Sequence, residues 1–275
     1  MLTPCRMRIE TTMSDHSADS PPTQAVAHHP DETLAPFQFE PCGDRCVILV
    51  FGSVFSLDLN RQAASVGSRL RDLAAQGLLP GVTDVVSAMV TVGVHYAPER
   101  VATLHPDVSP YASMCTLITL GLKASQHSDG QNGSFIEIPV CYAPQYAPDL
   151  EDIARACLIT VDEVIAAHTA QSLDVLMVGF APGHPYLGMH DSALSLPRKA
   201  TPRVRVPQGS VGIANRQSVI YPADLPGGWN LIGRTPLQLF SPAAQPPCLL
   251  KGGDKVRFVP ITHHEFERLS RGNSK

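Results

Sequence analysis

Residues able to grip a small anion gather in three Gly- and Pro-rich stretches of the C-terminal half of a 275-residue chain. The first is Gly179-Phe180-Ala181-Pro182-Gly183-His184-Pro185-Tyr186-Leu187-Gly188. Glycine admits positive φ and proline locks φ, so this composition specifies a fixed loop that can turn backbone N–H groups toward an anion or a carbonyl. As structure alone it is a tight connection with Tyr186 as a packing residue. The second stretch, Leu196 to Ser210, sets Arg198, Lys199, Arg203 and Arg205 between Pro197, Pro202 and Pro207. Such a patch can hold carboxylate or phosphate, Arg being the better bidentate donor. The alternative is a solvated edge strand. Arg203 and Arg205 stand two apart, so an extended strand turns both the same way, as a shared anion site requires. The third, Pro226 to Pro236, holds the only tryptophan, and Arg234-Thr235 offers donors after a strand. It lacks the Lys-Ser/Thr pair and following helix of a P-loop. Trp229 reads as a packing residue before a stacking one.

Other chemistries find little support. Ser210 follows Gly209 without a full G-x-S-x-G pattern, so no nucleophile elbow is expected. His28, His29, His263 and His264 fall in expected tails, whereas His95 and His168 read as satisfied interior histidines, His168 at a helix C-terminus. Seven scattered cysteines without a CxxC pair read as reduced, mostly buried thiols and not as a zinc site. Net charge is -4 with no long run of one sign, which argues against a nucleic-acid partner. The longest apolar window, Val85 to Val94, is interrupted by Ser87, Thr91 and Gly93 and is too short for a membrane span. The N-terminal segment lacks the apolar stretch of a signal peptide, so a cytoplasmic protein is expected.

Patterning places these stretches. Residues 1–35 are polar, with Ser, Pro and His, and read as a disordered tail. Strand signals at Phe37 to Phe55, broken at Gly43-Asp44, are followed by a helix over Asp58 to Gln76 with Leu59, Ala63, Val66, Leu70 and Leu73 on one face. A β region at Val82 to Tyr96 and a helix over Asp107 to Lys123 complete a small α/β domain, 36–123, and Ala124 to Ser134 reads as a linker. A strand at Ile136 to Tyr142 precedes two short helices, Asp149 to Cys157 and Val161 to His168, the latter with a Thr160/Glu163 capping box. They are spaced like a helix-turn-helix, but Asp162 and Glu163 would repel phosphates. Short β runs then recur at Val175 to Phe180, Ser210 to Ala214, Ser218 to Tyr221, Trp229 to Ile232, Leu237 to Phe240 and Lys255 to Pro260, as in a closed or nearly closed barrel over 134–266, with a tail at 267–275. The fold class expected is α+β.

Several motifs together carry a resemblance. In order they are Gly43-Asp44-Arg45, Val94-His95-Tyr96, Ile138-Pro139-Val140-Cys141-Tyr142, Pro148-Asp149-Leu150 and Gly179-Phe180-Ala181-Pro182-Gly183, then the Pro197 to Ser210 stretch, Val211-Gly212-Ile213-Ala214, Tyr221-Pro222 and Pro226-Gly227-Gly228-Trp229 to Phe240. From about Phe37 to about Pro260 the chain resembles the allophanate-hydrolase-subunit-1 or carboxyltransferase C/D family. The resemblance implies a small α/β domain followed by a cyclophilin-like β-barrel. It also implies work as the B subunit of a bacterial ATP-dependent 5-oxoprolinase. The partners it implies are a paralogous barrel protein, the C subunit, together with a lactam-utilisation protein, the A subunit. ATP is bound by the complex, and a small anionic lactam is opened to glutamate. The isolated chain is then expected to be inactive. Relatives fused in urea carboxylase, and KipI-type inhibitors of a histidine kinase, are the family's other functions.

On the matching positions the resemblance assigns Arg198, Arg203 and Arg234 as anion holders, Pro182-Gly183 as backbone donor, and Tyr186 and Gln217 as orienting residues. Such fixed donors suit charge developing on oxygen. The chain departs from the pattern in three places. His184 stands where Phe is usual, so it alters specificity or stacks in its place; Leu225 replaces a common Ser; and Met89-Val90-Thr91 replaces a common Tyr-Arg-Ser.

Overall fold

The computed structural model describes residues 37–104, 106–125 and 133–272, so the expected tail at 1–35, with His28 and His29, and most of the expected linker lie outside the described residues. Strands β1 (Gln38–Pro41) and β2 (Cys46–Val50) form a hairpin around Gly43, and β3 (Val82–Ala88) and β4 (Thr91–Tyr96) a second one. Together they make an antiparallel sheet in the order β1-β2-β4-β3. Helix α1 (Leu57–Ala75) starts at Ser56, whose hydroxyl accepts from Leu59 N at 3.2 Å. The repeat of three and four that predicts this helix buries Ala63, Val66, Leu70 and Leu73, while Leu59 stays partly exposed. These side chains pack with Val47, Leu49, Val92 and Val94 of the sheet and with Ile118 and Leu122 of α3 (Pro110–Ala124). The sequence reading places that last helix from Asp107; Ser109 caps it and Pro110 begins it. The short α2 (Pro98–Ala102) has no counterpart in the sequence reading.

The second part is a closed barrel in the order β10-β7-β6-β13-β5-β12-β9. Its strands are β5 (Phe135–Cys141), β6 (Leu173–Val178), β7 (Pro185–Gly188), β9 (Ser210–Ala214), β10 (Gln217–Ile220), β12 (Asn230–Arg234) and β13 (Lys255–Ile261). Closure leaves no free sheet edge, and the α+β class holds. Helices α4 (Leu150–Cys157) and α5 (Val161–Thr169) separate β5 from β6, and the capping box at Thr160 and Glu163 is present. A two-stranded ribbon, β8 (Arg203–Val206) with β11 (Leu225–Gly227), lies apart from the barrel's strand order. Alternation along the strands shows why it is covered. Ile213 and Ile220 join the large barrel core, whereas Ala214, Val219 and Tyr221 join a smaller one with Val206, Trp229 and Leu231. Two expectations fail here. Leu237 to Phe240 forms no strand, only a bridge from Phe240 to Cys248, and residues expected in the tail belong to helix α6 (His263–Gly272), whose Phe266 packs on Tyr146 at 4.5 Å.

Side chains from α1 tie the first sheet's layer to the barrel. Asn60 Nδ2, buried, donates to Met89 O at 2.6 Å and Leu176 O at 2.8 Å, and Arg61 Nη2 donates to Asp174 Oδ2 at 2.9 Å. Among the described residues no helix is long and apolar enough to cross a membrane.

Candidate functional site

The site grows from a segment without regular structure, residues 195–202, pinned at several backbone points. Asn215 N donates to Leu196 O at 2.6 Å, Asn230 Nδ2 to Pro197 O at 2.9 Å, and Lys199 N to Gly228 O at 2.7 Å. The pins set the Arg198 guanidinium over the Trp229 ring, 4.8 Å from its centroid. Trp229 is therefore both a buried member of the small core and a stacking platform. Lys199 and Arg203 turn instead toward Asp149. Its Oδ1 accepts from Lys199 Nζ at 2.8 Å and Arg203 Nη2 at 2.7 Å, and its Oδ2 from Leu231 N at 2.7 Å.

Asp149 is given no role in the site by the sequence reading. It stands at the N-cap of α4, where an Asp ordinarily accepts from its own helix, yet its side chain makes no cap hydrogen bond and spans to the basic segment. Only 3% of its side chain is exposed. Burial pushes its pKa up, but the hydrogen bonds from Arg203, Lys199 and Leu231 N outweigh that and hold the carboxyl below its ordinary value. Pro148-Asp149-Leu150 was the only available signal, and a helix start explains it equally well.

Around this pair stand protonated and neutral groups. Burial, with the Arg198 charge adding to it, lowers the His184 pKa to about 4, so the imidazole is neutral at pH 7. Its ring meets Tyr186 at 5.1 Å and Tyr221 at 5.2 Å, with exposed Phe180 at 5.4 Å. Burial also raises both tyrosines, Tyr221 to about 12, so each hydroxyl keeps its proton. Tyr221 fits because residue 227 is glycine: a Cβ there would lie 2.0 Å from its hydroxyl oxygen. Arg203 Nη1 is buried without a hydrogen-bond partner. Among the described residues no carboxylate pairs with Arg198. With Arg198, Lys199 and Arg203 set against the single Asp149, the group is net positive.

The Pro182-Gly183 turn adjoins the group through His184. Gly179 N donates to His184 O and His184 N to Ala181 O, both at 3.0 Å, closing a tight turn with Pro182 at its second position and Gly183, at φ 75°, at its third. A Cβ on Gly183 would come within 2.8 Å of Phe240 Cβ. Among the described residues no backbone acceptor meets the N–H groups of Phe180, Ala181 or Gly183. Gln217 opens β10 directly opposite Gly188, on the strand face that carries Val219, which pairs with Tyr186.

One sequence expectation is corrected. Arg205 does not share a site with Arg203: it is exposed and pairs with Asp224, because Arg203 is drawn to the buried Asp149. Arg234 contacts a different set of residues. Its Nε donates to Gln208 O at 2.7 Å, its guanidinium faces the Tyr146 ring at 5.9 Å, and it lines a cavity of about 300 Å³ with Gln208, Thr235, Gln238 and Phe266. Among the histidines, His95 is exposed where an interior place was expected, while His263 and His264 lie on α6.

His168 is interior, and it belongs to a buried chain. Tyr142 Oη lies 2.7 Å from His168 Nδ1, His168 Nε2 lies 3.0 Å from Ser218 Oγ, and Ser218 Oγ lies 2.7 Å from His190 Nε2. Burial lowers both imidazoles, His190 to about 4, so both are neutral, and His190 Nδ1 is left without a partner. The sequence reading missed His190 and Ser218.

The profile described as "Carboxyltransferase domain, subdomain C and D" matches residues 37–250. The chain belongs to this family. It is 36% identical over 232 residues to the 5-oxoprolinase B subunit from Bacillus subtilis, spanning 84% of this chain and 95% of that protein. To the protein of that name from Haemophilus influenzae it is 46% identical over 153 residues, 56% of this chain and 70% of the relative. The solved structure of TTHA0988 superposes with a TM-score of 0.66 at 33% identity, covering 79% of this chain and 40% of that one. The matched span takes in the Arg198 group and every barrel strand except β13, which follows it.

Proposed function

We propose that this chain is the B subunit of an ATP-dependent 5-oxoprolinase and that it holds the substrate's carboxylate. The observation that carries the reading is Arg198, stacked on Trp229 with no carboxylate among the described residues to neutralise it, beside protonated tyrosines and a neutral histidine. A five-membered lactam acid fits that environment. Its carboxylate pairs with the guanidinium, its ring lies against aromatic faces, and Tyr186 donates a hydrogen bond to the lactam carbonyl. The relatives named as B subunits of 5-oxoprolinase, one matched over nearly its whole length, support the same assignment.

The chemistry is shared out in this reading. Asp149 is committed to two cations, and His184 is a weak base with a pKa of about 4. The chain therefore binds and orients, while the reacting centre is completed by two partners, a paralogous barrel protein and a lactam-utilisation protein. ATP is bound by that cytoplasmic complex in this reading, and the residues of this chain act on the lactam acid alone. Co-expression with both partners should give ATP-dependent glutamate release from 5-oxoproline, and omission of this chain should abolish it. A fully assembled complex that releases no glutamate would overturn the reading.

A further inference from the structure

The first sheet carries a cluster that the lactam chemistry does not use. Cys42 and Cys46 face each other across the β1–β2 hairpin: Pro41 pairs with Val47, and Cys42 N donates to Cys46 O at 2.9 Å. Opposite residues in an antiparallel pair point to the same face with Cα atoms about 5 Å apart, inside the range a disulfide spans. Cys46 Sγ lies 4.0 Å from His95 Nε2. Cys42 is exposed and Cys46 buried, which separates an attacking thiol from a resolving one.

We propose that Cys42 and Cys46 form a reversible disulfide on reaction with a low-molecular-weight disulfide such as oxidised glutathione. The Cys42 thiolate attacks one glutathione sulfur, the glutathione S–S bond breaks, and one glutathione thiolate leaves. Cys46 then attacks the Cys42 sulfur of the mixed disulfide, passing its proton to His95 Nε2. The Cys42–Cys46 bond forms as the second glutathione thiolate departs. The two cysteines lose two electrons, and one oxidised glutathione becomes two reduced ones. Burial raises the Cys46 pKa, so a base within reach matters for this second step. The product staples the edge strand β1 to β2.

The test uses the full-length chain. After limited oxidised glutathione, alkylation and trypsin, the peptides Ile9–Arg45 and Cys46–Arg61 should appear joined, ahead of any change at Cys115, Cys141, Cys157 or Cys248. Dithiothreitol should separate them, and amide exchange in β1 should slow in the joined form. His95→Phe should accumulate the Cys42 mixed disulfide at least tenfold over wild type. Recovery of Cys42 and Cys46 as separately alkylated or glutathione-capped peptides, without the joined pair, would overturn the proposal.

Discussion

Asp149 organises the candidate site by refusing the role its position offers. Its carboxylate leaves the α4 cap and binds Lys199 and Arg203, whose side chains are 32% and 28% exposed. Replacing it by Asn weakens charged hydrogen bonds to two partly buried cations, so Asp149→Asn should cost about 1.5–3 kcal/mol in urea unfolding. It should also lower activity of the reconstituted complex by freeing the segment that carries Arg198. None of this was legible locally, because a Pro-Asp-Leu helix start looks the same whether its Asp caps or reaches away. The same limit explains Arg205, which its spacing set beside Arg203 in a shared anion site but which Asp224 claims. The grouping of Arg198 with His184, Tyr186 and Arg203 followed the three Gly- and Pro-rich stretches closely, since those residues fix local backbone on their own.

Local pattern specifies most elements. The α1 face, the capping box of α5 and strand β9 needed only periodicity or turn chemistry, and the structure places them where these put them. The short β7 and β11 were not seen as strands, since three or four residues carry too little alternation and their pairing is settled by distant partners, while β8 was read only as a solvated edge strand although its Val206 is buried. Close packing between elements gives a direct check. Gly227→Ala drives a Cβ into the Tyr221 hydroxyl between β11 and the barrel wall, and should lower stability by about 1–3 kcal/mol. Such a loss should be visible as a fall in Tm. The buried chain from Tyr142 to His190 sets a pH dependence. The folded His190 pKa of about 4 is below the unfolded 6.5, so the unfolded state binds more protons in that interval and stability falls as pH drops through it. Between pH 7 and pH 5 this one group should remove about 2 kcal/mol. In His190→Gln the difference between urea unfolding at pH 7 and at pH 5 should shrink by that amount; an unchanged difference would mean the imidazole is not buried neutral.

For the whole molecule, the barrel and the first sheet's layer are joined by Asn60 and Arg61, so the Arg198 group is presented on a braced scaffold and not on a free loop. In the proposed reading the reacting centre is shared between subunits, and this chain supplies the Arg198 group to it. The α+β architecture was readable from the order of helical and strand patterns. Which cations meet was not, because it depends on closure of the barrel. The decisive measurement is therefore kinetic, on the reconstituted complex of all three proteins, with Arg198→Ala compared to Arg234→Ala. The account predicts that Arg198→Ala raises the KM for 5-oxoproline roughly ten- to hundredfold, the value of a charged hydrogen bond, while Tm and the KM for ATP stay at the wild-type values. An unchanged 5-oxoproline KM in Arg198→Ala, with the rise appearing instead in Arg234→Ala, would place the carboxylate in the cavity beside Arg234 and contradict it.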